Sequence, residues 1–107
     1  MNTDILSAEE VAQLLRNGAL LVDVRTKLEV MMGIAPGAMH ISLFSLKRHL
    51  CELPRDREIV VYCRTGGRAA KAKQVLEAAG FKAFNGGGYK DIVKIVADNV
   101  DQESEQS

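Results

Sequence analysis

The chain lacks three features that would each point to a function directly: a surplus of charge, paired cysteines and a long apolar run. Fourteen Lys and Arg face fourteen Asp and Glu, so neither a basic stripe for nucleic acid nor a membrane-seeking surface is expected. Only two cysteines occur, Cys51 and Cys63, too few for a disulfide framework and without metal-ligand spacing to a partner. Two unpaired thiols suit a reducing compartment. No apolar run approaches the roughly 18 residues of a membrane span. The opening segment MNTDILSAEEVAQLL has no basic start, apolar stretch or small-residue cleavage pattern of a signal peptide. A cytoplasmic location is the expectation.

What is present describes one domain. The 107 residues are 47% apolar and 26% charged, and a chain of this length buries about 60–70% of its unfolded surface, enough for a single core. That domain is expected over residues 1–100, with a polar, disordered tail at 101–107. Ser7-Ala8-Glu9-Glu10 forms a capping box, followed by Val11, Leu14 and Leu15 at helical spacing and closed by Gly18. ALLVDV (19–24) and EIVVY (58–62) are short continuous apolar runs, the pattern of strands buried on both faces. A short helical turn is expected from Thr26 to Met31, and a helix over Leu43–Leu53 stopped by Pro54. Another helix is expected from Arg68 to Ala79, a short strand over 81–85, a permissive GGG loop at 86–88 and an amphipathic helix from Tyr89 to Asn99. Helices alternating with apolar strands predict an α/β architecture around a mainly parallel sheet. In such sheets the reactive crevice lies beyond the carboxyl ends of the strands, which is where Asp23, Cys63 and the triple glycine fall.

The most informative stretch is VVYCRTGGRAAKA (60–72). Cys63 stands at the exit of a strand rather than inside it, and the next helix opens toward it. The free amides at that helix start favour an anion, and Gly66-Gly67 lets the backbone curl so that successive N–H groups converge. Arg64 and Arg68 add positive charge. All of these favour thiolate over thiol and set Cys63 up as a nucleophile toward an electrophile carried by an anion. The spacing is C-x4-R. A phosphate or arsenate cup of the tyrosine-phosphatase type needs one residue more, whereas this smaller ring suits a single sulfur atom bound on the cysteine.

LLVDVRTKLEV (20–30), APGAMHIS (35–42), IVVYCRTGGRAAKAKQVLEAAGF (59–81) and the GGGY that follows together resemble the rhodanese family of single-domain sulfurtransferases, in family order, from about Ser7 to Ile95. The resemblance implies a three-layer α/β fold, a five-stranded, mostly parallel sheet with helices on both faces. It implies that Cys63 is the catalytic residue and carries a persulfide. The amides of Arg64, Thr65, Gly66, Gly67 and Arg68 would bind the substrate and hold the persulfide's charge, with Arg68 closing the loop. Asp23, Arg25 and Glu29 match residues of structural support. No metal or organic cofactor is implied. The partners would be a small anionic sulfur donor such as thiosulfate and a thiol or protein acceptor.

The chain departs from the family pattern at several places. Ile34-Ala35 stands before Pro36-Gly37 where a histidine is frequent, Ile92 replaces a tryptophan, and Gly67 takes a place where a larger polar residue is common. These changes touch scaffold and pocket wall and bear on the choice of donor. Two alternatives remain beside the enzyme: a carrier or partner-binding module that holds persulfide but turns over thiosulfate poorly, and a phosphatase or arsenate reductase, which the short loop disfavours. Cys51 reads as a packing residue near Leu50 and Leu53, His40 as scaffold, His49 as a solvent-facing residue and Tyr62 as core facing away from Cys63.

Overall fold

The computed structural model describes residues 4–106. Four parallel strands form one sheet: β1 (Leu20–Asp23), β2 (Met39–His40), β3 (Ile59–Cys63) and β4 (Ala83–Gly88), in the spatial order β2-β1-β3-β4. Pairing is parallel throughout, with Val22 opposite Val61 and Cys63 opposite Gly88. Among the described residues the sheet has four strands rather than the five that the resemblance implies, with one further parallel bridge between Ile5 and Asn85. The chain turns away there because Ser7 is already the N-cap of α1 (Ala8–Arg16), in the capping box that the sequence predicts.

The alternation of β3 divides the molecule into its layers. Ile59, Val61 and Cys63 face a core shared with Ala69, Ala72 and Leu76 of α3 (Gly67–Ala78) and with Leu46. Val60 and Tyr62 face the opposite core, with Val11 of α1 and Ile92 and Ile95 of α4 (Tyr89–Gln106). Helices therefore cover both faces, and the α/β three-layer expectation holds. Residues 43–52 form a 3₁₀ helix rather than an α-helix, with Leu46 fully buried. Cys51 lies off the leucine face and is exposed rather than packed with Leu50. Helix α4 runs through Gln106, past the end at Asn99 that apolar spacing predicts, so backbone that composition assigns to a disordered tail is helical as far as residue 106. Extending an existing helix costs far less than nucleating one, and polar residues suffice.

The chain goes from β1 outward to β2 and then returns to the other side of β1 to make β3. The β1–β3 boundary is therefore the switch point of the sheet, and the crevice of such folds opens there, at the carboxyl ends. Both Asp23 and Cys63 end strands at that point. The triple glycine is strand, not loop: Gly86, Gly87 and Gly88 complete β4, with an irregularity opposite Val61 and Tyr62. Glycine is required at 88 because a Cβ there would sit 2.7 Å from the backbone carbonyl oxygen of Arg64. That oxygen belongs to the chain itself and cannot swing aside as a side chain would. Gly88→Ala is accordingly expected to cost about 1–3 kcal/mol, the usual range for overpacking, read as a lower urea midpoint with an unchanged denaturant slope.

Candidate active site

Strand β3 delivers Cys63 to the rim, where its side chain is only 1% exposed. The sulfur is held by backbone. The amide of Gly66 donates to Sγ at 3.0 Å and that of Ala69 at 3.4 Å. Gly66 makes this possible by adopting φ +104°, a left-handed conformation that turns the chain directly into α3. The amides of Gly67, Arg68 and Ala69 belong to the first turn of that helix and have no acceptor within it. The sequence therefore places a sulfur in front of amides that the helix itself cannot use.

The other expected site residues divide into two groups. Arg64, Thr65 and Gly67 lie on the exposed outer side of the loop. Arg68 does not stand open beside the thiol. Its guanidinium forks onto Glu29, Nη1 to Oε1 at 2.6 Å and Nη2 to Oε2 at 2.8 Å. Glu29 also caps α2 (Lys27–Met31), its Oε1 accepting from the Thr26 amide at 3.0 Å. One carboxylate thus ties the loop after β3 to the segment after β1. The hydrogen bond from Arg68 is the main reason the Glu29 carboxyl is held well below the usual carboxylate range, and the same bond raises the Arg68 guanidinium.

Asp23 and Arg25 form a buried ion pair under the rim, with Arg25 Nη2 at 2.8 Å from Asp23 Oδ2 and 2.6 Å from the carbonyl of Gly33. The guanidinium lies over the ring of Tyr89, 4.1 Å from its centroid. Burial lowers Arg25, but the hydrogen bond and charge of Asp23, with the fields of Tyr62 and Glu29, together outweigh it and raise the guanidinium. His40 Nε2 lies 2.7 Å from the carbonyl of Arg25. A carbonyl only accepts, so His40 donates there and ties β2 to the segment after β1. Burial pushes the Tyr62 phenol up, and its oxygen accepts from the Ala35 amide at 3.1 Å. Tyr62 is core, on the face away from Cys63.

Two contributors to the site escape a reading of the sequence. Asn85 is fully buried in β4. Its Nδ2 donates to the carbonyl of Gly66 at 3.0 Å while its Oδ1 accepts from the Gly87 amide at 2.9 Å. Ile5 covers the back of the same turn, where a Cβ on Gly66 would meet its Cδ1 at 2.7 Å. The only signal for Asn85 was a polar residue inside an otherwise apolar or glycine stretch. A groove of about 450 Å³, lined among others by Lys27, His40, Ser45 and His49, lies along β2 and does not reach Cys63. The donors that converge on Cys63 Sγ, rather than that groove, make Cys63 the candidate reactive centre. Among the described residues no three His, Cys, Asp or Glu side chains converge on a metal position, and no helix is long and apolar enough to cross a membrane.

Fold and geometry define an α/β domain with an amide-cradled cysteine at the switch point of a parallel sheet. The family described as "Rhodanese-like domain" matches residues 7–97, and the chain belongs to that family. Among curated relatives, a "Sulfurtransferase" of Allochromatium vinosum is 33% identical over 78 residues, 71% of this chain and 73% of the relative. A "tRNA sulfurtransferase" of Desulfurococcus amylolyticus is 36% identical over 67 residues, 63% of this chain but only 13% of that much longer protein. Among solved structures, the human single-domain sulfurtransferase TSTD1 superposes with a TM-score of 0.74 at 28% identity, covering 85% of this chain and 96% of that one. These similarities place the chain among the sulfurtransferases of the family. In the place where the resemblance leads one to expect tryptophan, Ile92 is fully buried.

The Glu29–Arg68 pair yields a prediction about acid stability. A carboxyl whose folded pKa is depressed stabilises the fold fully above its unfolded value and loses that contribution as pH falls through the folded one. The stability difference between wild type and Glu29→Gln is therefore expected to be largest near neutrality and to shrink as pH falls from about 5 toward 2. Urea midpoints across that range measure it; a constant difference would show that the carboxylate contributes through packing rather than charge.

Proposed function

We propose that this protein transfers a sulfane sulfur through a persulfide on Cys63. The observation that carries the reading is the buried Sγ accepting two backbone amides, from Gly66 and Ala69, at the mouth of α3. In the first step the Cys63 thiolate attacks the outer sulfur of thiosulfate or a related donor. A new S–S bond forms from the thiolate's electron pair. The donor's S–S bond breaks, and its pair leaves on sulfite. The product is Cys63–S–S⁻, whose charge the loop amides stabilise as they would any developing anion. In the second step a thiophilic acceptor, cyanide or a thiolate, takes the outer sulfur and returns Cys63 to thiolate. No oxidant, reductant, metal or organic cofactor is consumed.

Within this scheme Arg64, exposed on the loop, attracts the anionic donor. Arg68, fixed on Glu29, closes the loop and contributes its field from behind. Thr65, Gly66 and Gly67 contribute backbone to the cup. Asp23, Arg25 and Glu29 brace the rim.

A second reading, a persulfide carrier that discharges to a protein acceptor and turns over thiosulfate slowly, is favoured by another observation. Leu28, Met31, Met32 and Phe44 are 71–90% exposed and lie on the segments that follow the carboxyl ends of β1 and β2. Large apolar side chains of this kind mark surfaces that meet partners.

Intact mass after brief incubation with thiosulfate tests the enzyme reading. Wild type and Cys51→Ser should each gain one sulfur atom, lost on adding cyanide, and Cys63→Ser should gain none. A dead Cys51→Ser variant would assign the nucleophile to the exposed thiol. No gain in wild type with thiosulfate, followed by a gain with a persulfide donor, would move the carrier ahead.

A further inference from the structure

The loop amides can act only if their peptide planes face the sulfur, and one side chain outside the loop is placed to fix them. Asn85 approaches from β4, the strand paired with Cys63's own, and is fully buried. Its Nδ2 donates to the carbonyl oxygen of Gly66 at 3.0 Å. That same oxygen accepts the first hydrogen bond of α3, from the Ala70 amide at 3.0 Å. A trans peptide holds its C=O and the following N–H on opposite sides, and no peptide among the described residues is cis. Two donors drawing the Gly66 carbonyl away from the cup therefore turn the Gly67 N–H the other way, toward the mouth of the helix where Sγ lies. The Gly66 turn especially needs such a restraint. Glycine at φ +104° has no Cβ to limit it, and neighbouring peptides can flip at little cost. The other end of Asn85 is equally fixed, since Oδ1 accepts from the Gly87 amide at 2.9 Å within a strand paired to β3.

We propose that Asn85 is a positioning residue of the sulfur site. It locks the 66–67 peptide so that the Gly67 amide faces into the cup, beside the Gly66 and Ala69 amides that already reach Sγ. A persulfide places its outer sulfur one S–S bond, about 2 Å, beyond Sγ. The Gly67 amide is then the donor available for that sulfur. The inference deepens the sulfur-transfer reading and rests on it for the group that this amide meets.

The test uses the resting thiol, so it does not depend on any sulfur donor. Asn85→Leu removes both arms with similar volume. Asn85→Thr keeps a short, uncharged polar group suited to a strand but cannot reach the Gly66 carbonyl, and it serves if the leucine variant fails to fold. Val11→Ala, a cut in the core on the opposite side of the sheet, controls for lost stability. For each variant the rate of Cys63 alkylation by iodoacetamide is measured at pH 7 and pH 10 in a Cys51→Ser background, with circular dichroism confirming the fold. The ratio of the two rates reports how well the loop holds the thiolate. It should fall about three- to tenfold in the Asn85 variants, up to the effect of one unit of thiol titration, and stay within twofold of wild type in Val11→Ala. A folded Asn85 variant with the wild-type ratio overturns the proposal, as does an equal fall in Val11→Ala. If wild type gains no sulfur from any donor while the Asn85 variants still lose the ratio, the positioning role stands and the sulfur-transfer reading is what fails.

Discussion

The hydrogen bond from the Gly66 amide to the sulfur of Cys63, 3.0 Å long, is the constraint to which the rest of the molecule conforms. It requires a strand that ends at the cysteine, a turn that reverses the backbone within three residues and a helix that begins immediately afterwards. Each requirement fixes a residue. The strand is the apolar run Ile59–Cys63, buried along its whole length. The turn is a glycine at φ +104°. The helix begins with Gly67 and runs to Ala78 over residues of high helix propensity. A sulfur bonded in this way is not a packing cysteine that happens to stand near a loop. Its lone pairs are satisfied by donors that a neutral, apolar side chain would leave buried and unpaired.

The loop is supported from below by charges that make little sense for stability alone. A buried ion pair such as Asp23–Arg25 gains little over an apolar pair of the same shape, because desolvation offsets the attraction, but losing one partner is costly. Here the pair's geometry is its value. Arg25 reaches the Gly33 carbonyl and the face of Tyr89, and Asp23 accepts the Arg25 amide at 2.9 Å. Together they set the direction in which the chain leaves β1. That exit places Thr26 and Glu29 where one carboxylate can cap α2 and receive the Arg68 fork. The order of the sheet makes the link possible, since β1 and β3 are neighbours and run parallel. Two loops far apart in sequence are joined at the same rim.

Much of this was legible because the signals are local. The Ser7 capping box, the apolar runs of β1 and β3 and the C-x4-R loop each depend on residues within a few positions of one another. So the three-layer fold and the position of Cys63 at the rim follow from the sequence. What was not legible depends on contacts across the fold. Arg68 looks like a free cation in the sequence, and only the β1–β3 adjacency shows it spent on Glu29. Asn85 looks like the end of a short strand, and only the pairing of β3 with β4 brings it beneath Gly66. The triple glycine looks like a loop because glycine is a poor strand former. It is strand because it pairs with the end of β3, and glycine is needed at 88 because Arg64's carbonyl leaves no room for a Cβ there. Cys51 stands next to Leu50 in sequence, but at either helical period it lies off the stripe of leucines, and it is exposed.

If Cys63 transfers sulfur as proposed, its burial has one last consequence. At 1% exposure the sulfur itself admits little more than the end of a small donor, which suits a first step that delivers one atom and expels the remainder. In that scheme the loaded atom shifts the reactive position from Sγ by about 2 Å, the length of an S–S bond. An acceptor then needs less of an approach than the donor did. The first step is restricted by shape and the second is open, so the same cradle is selective for what loads it and permissive for what unloads it. Selectivity among acceptors has to come from the surface around the cup, and that is where the exposed apolar side chains after β1 and β2 stand.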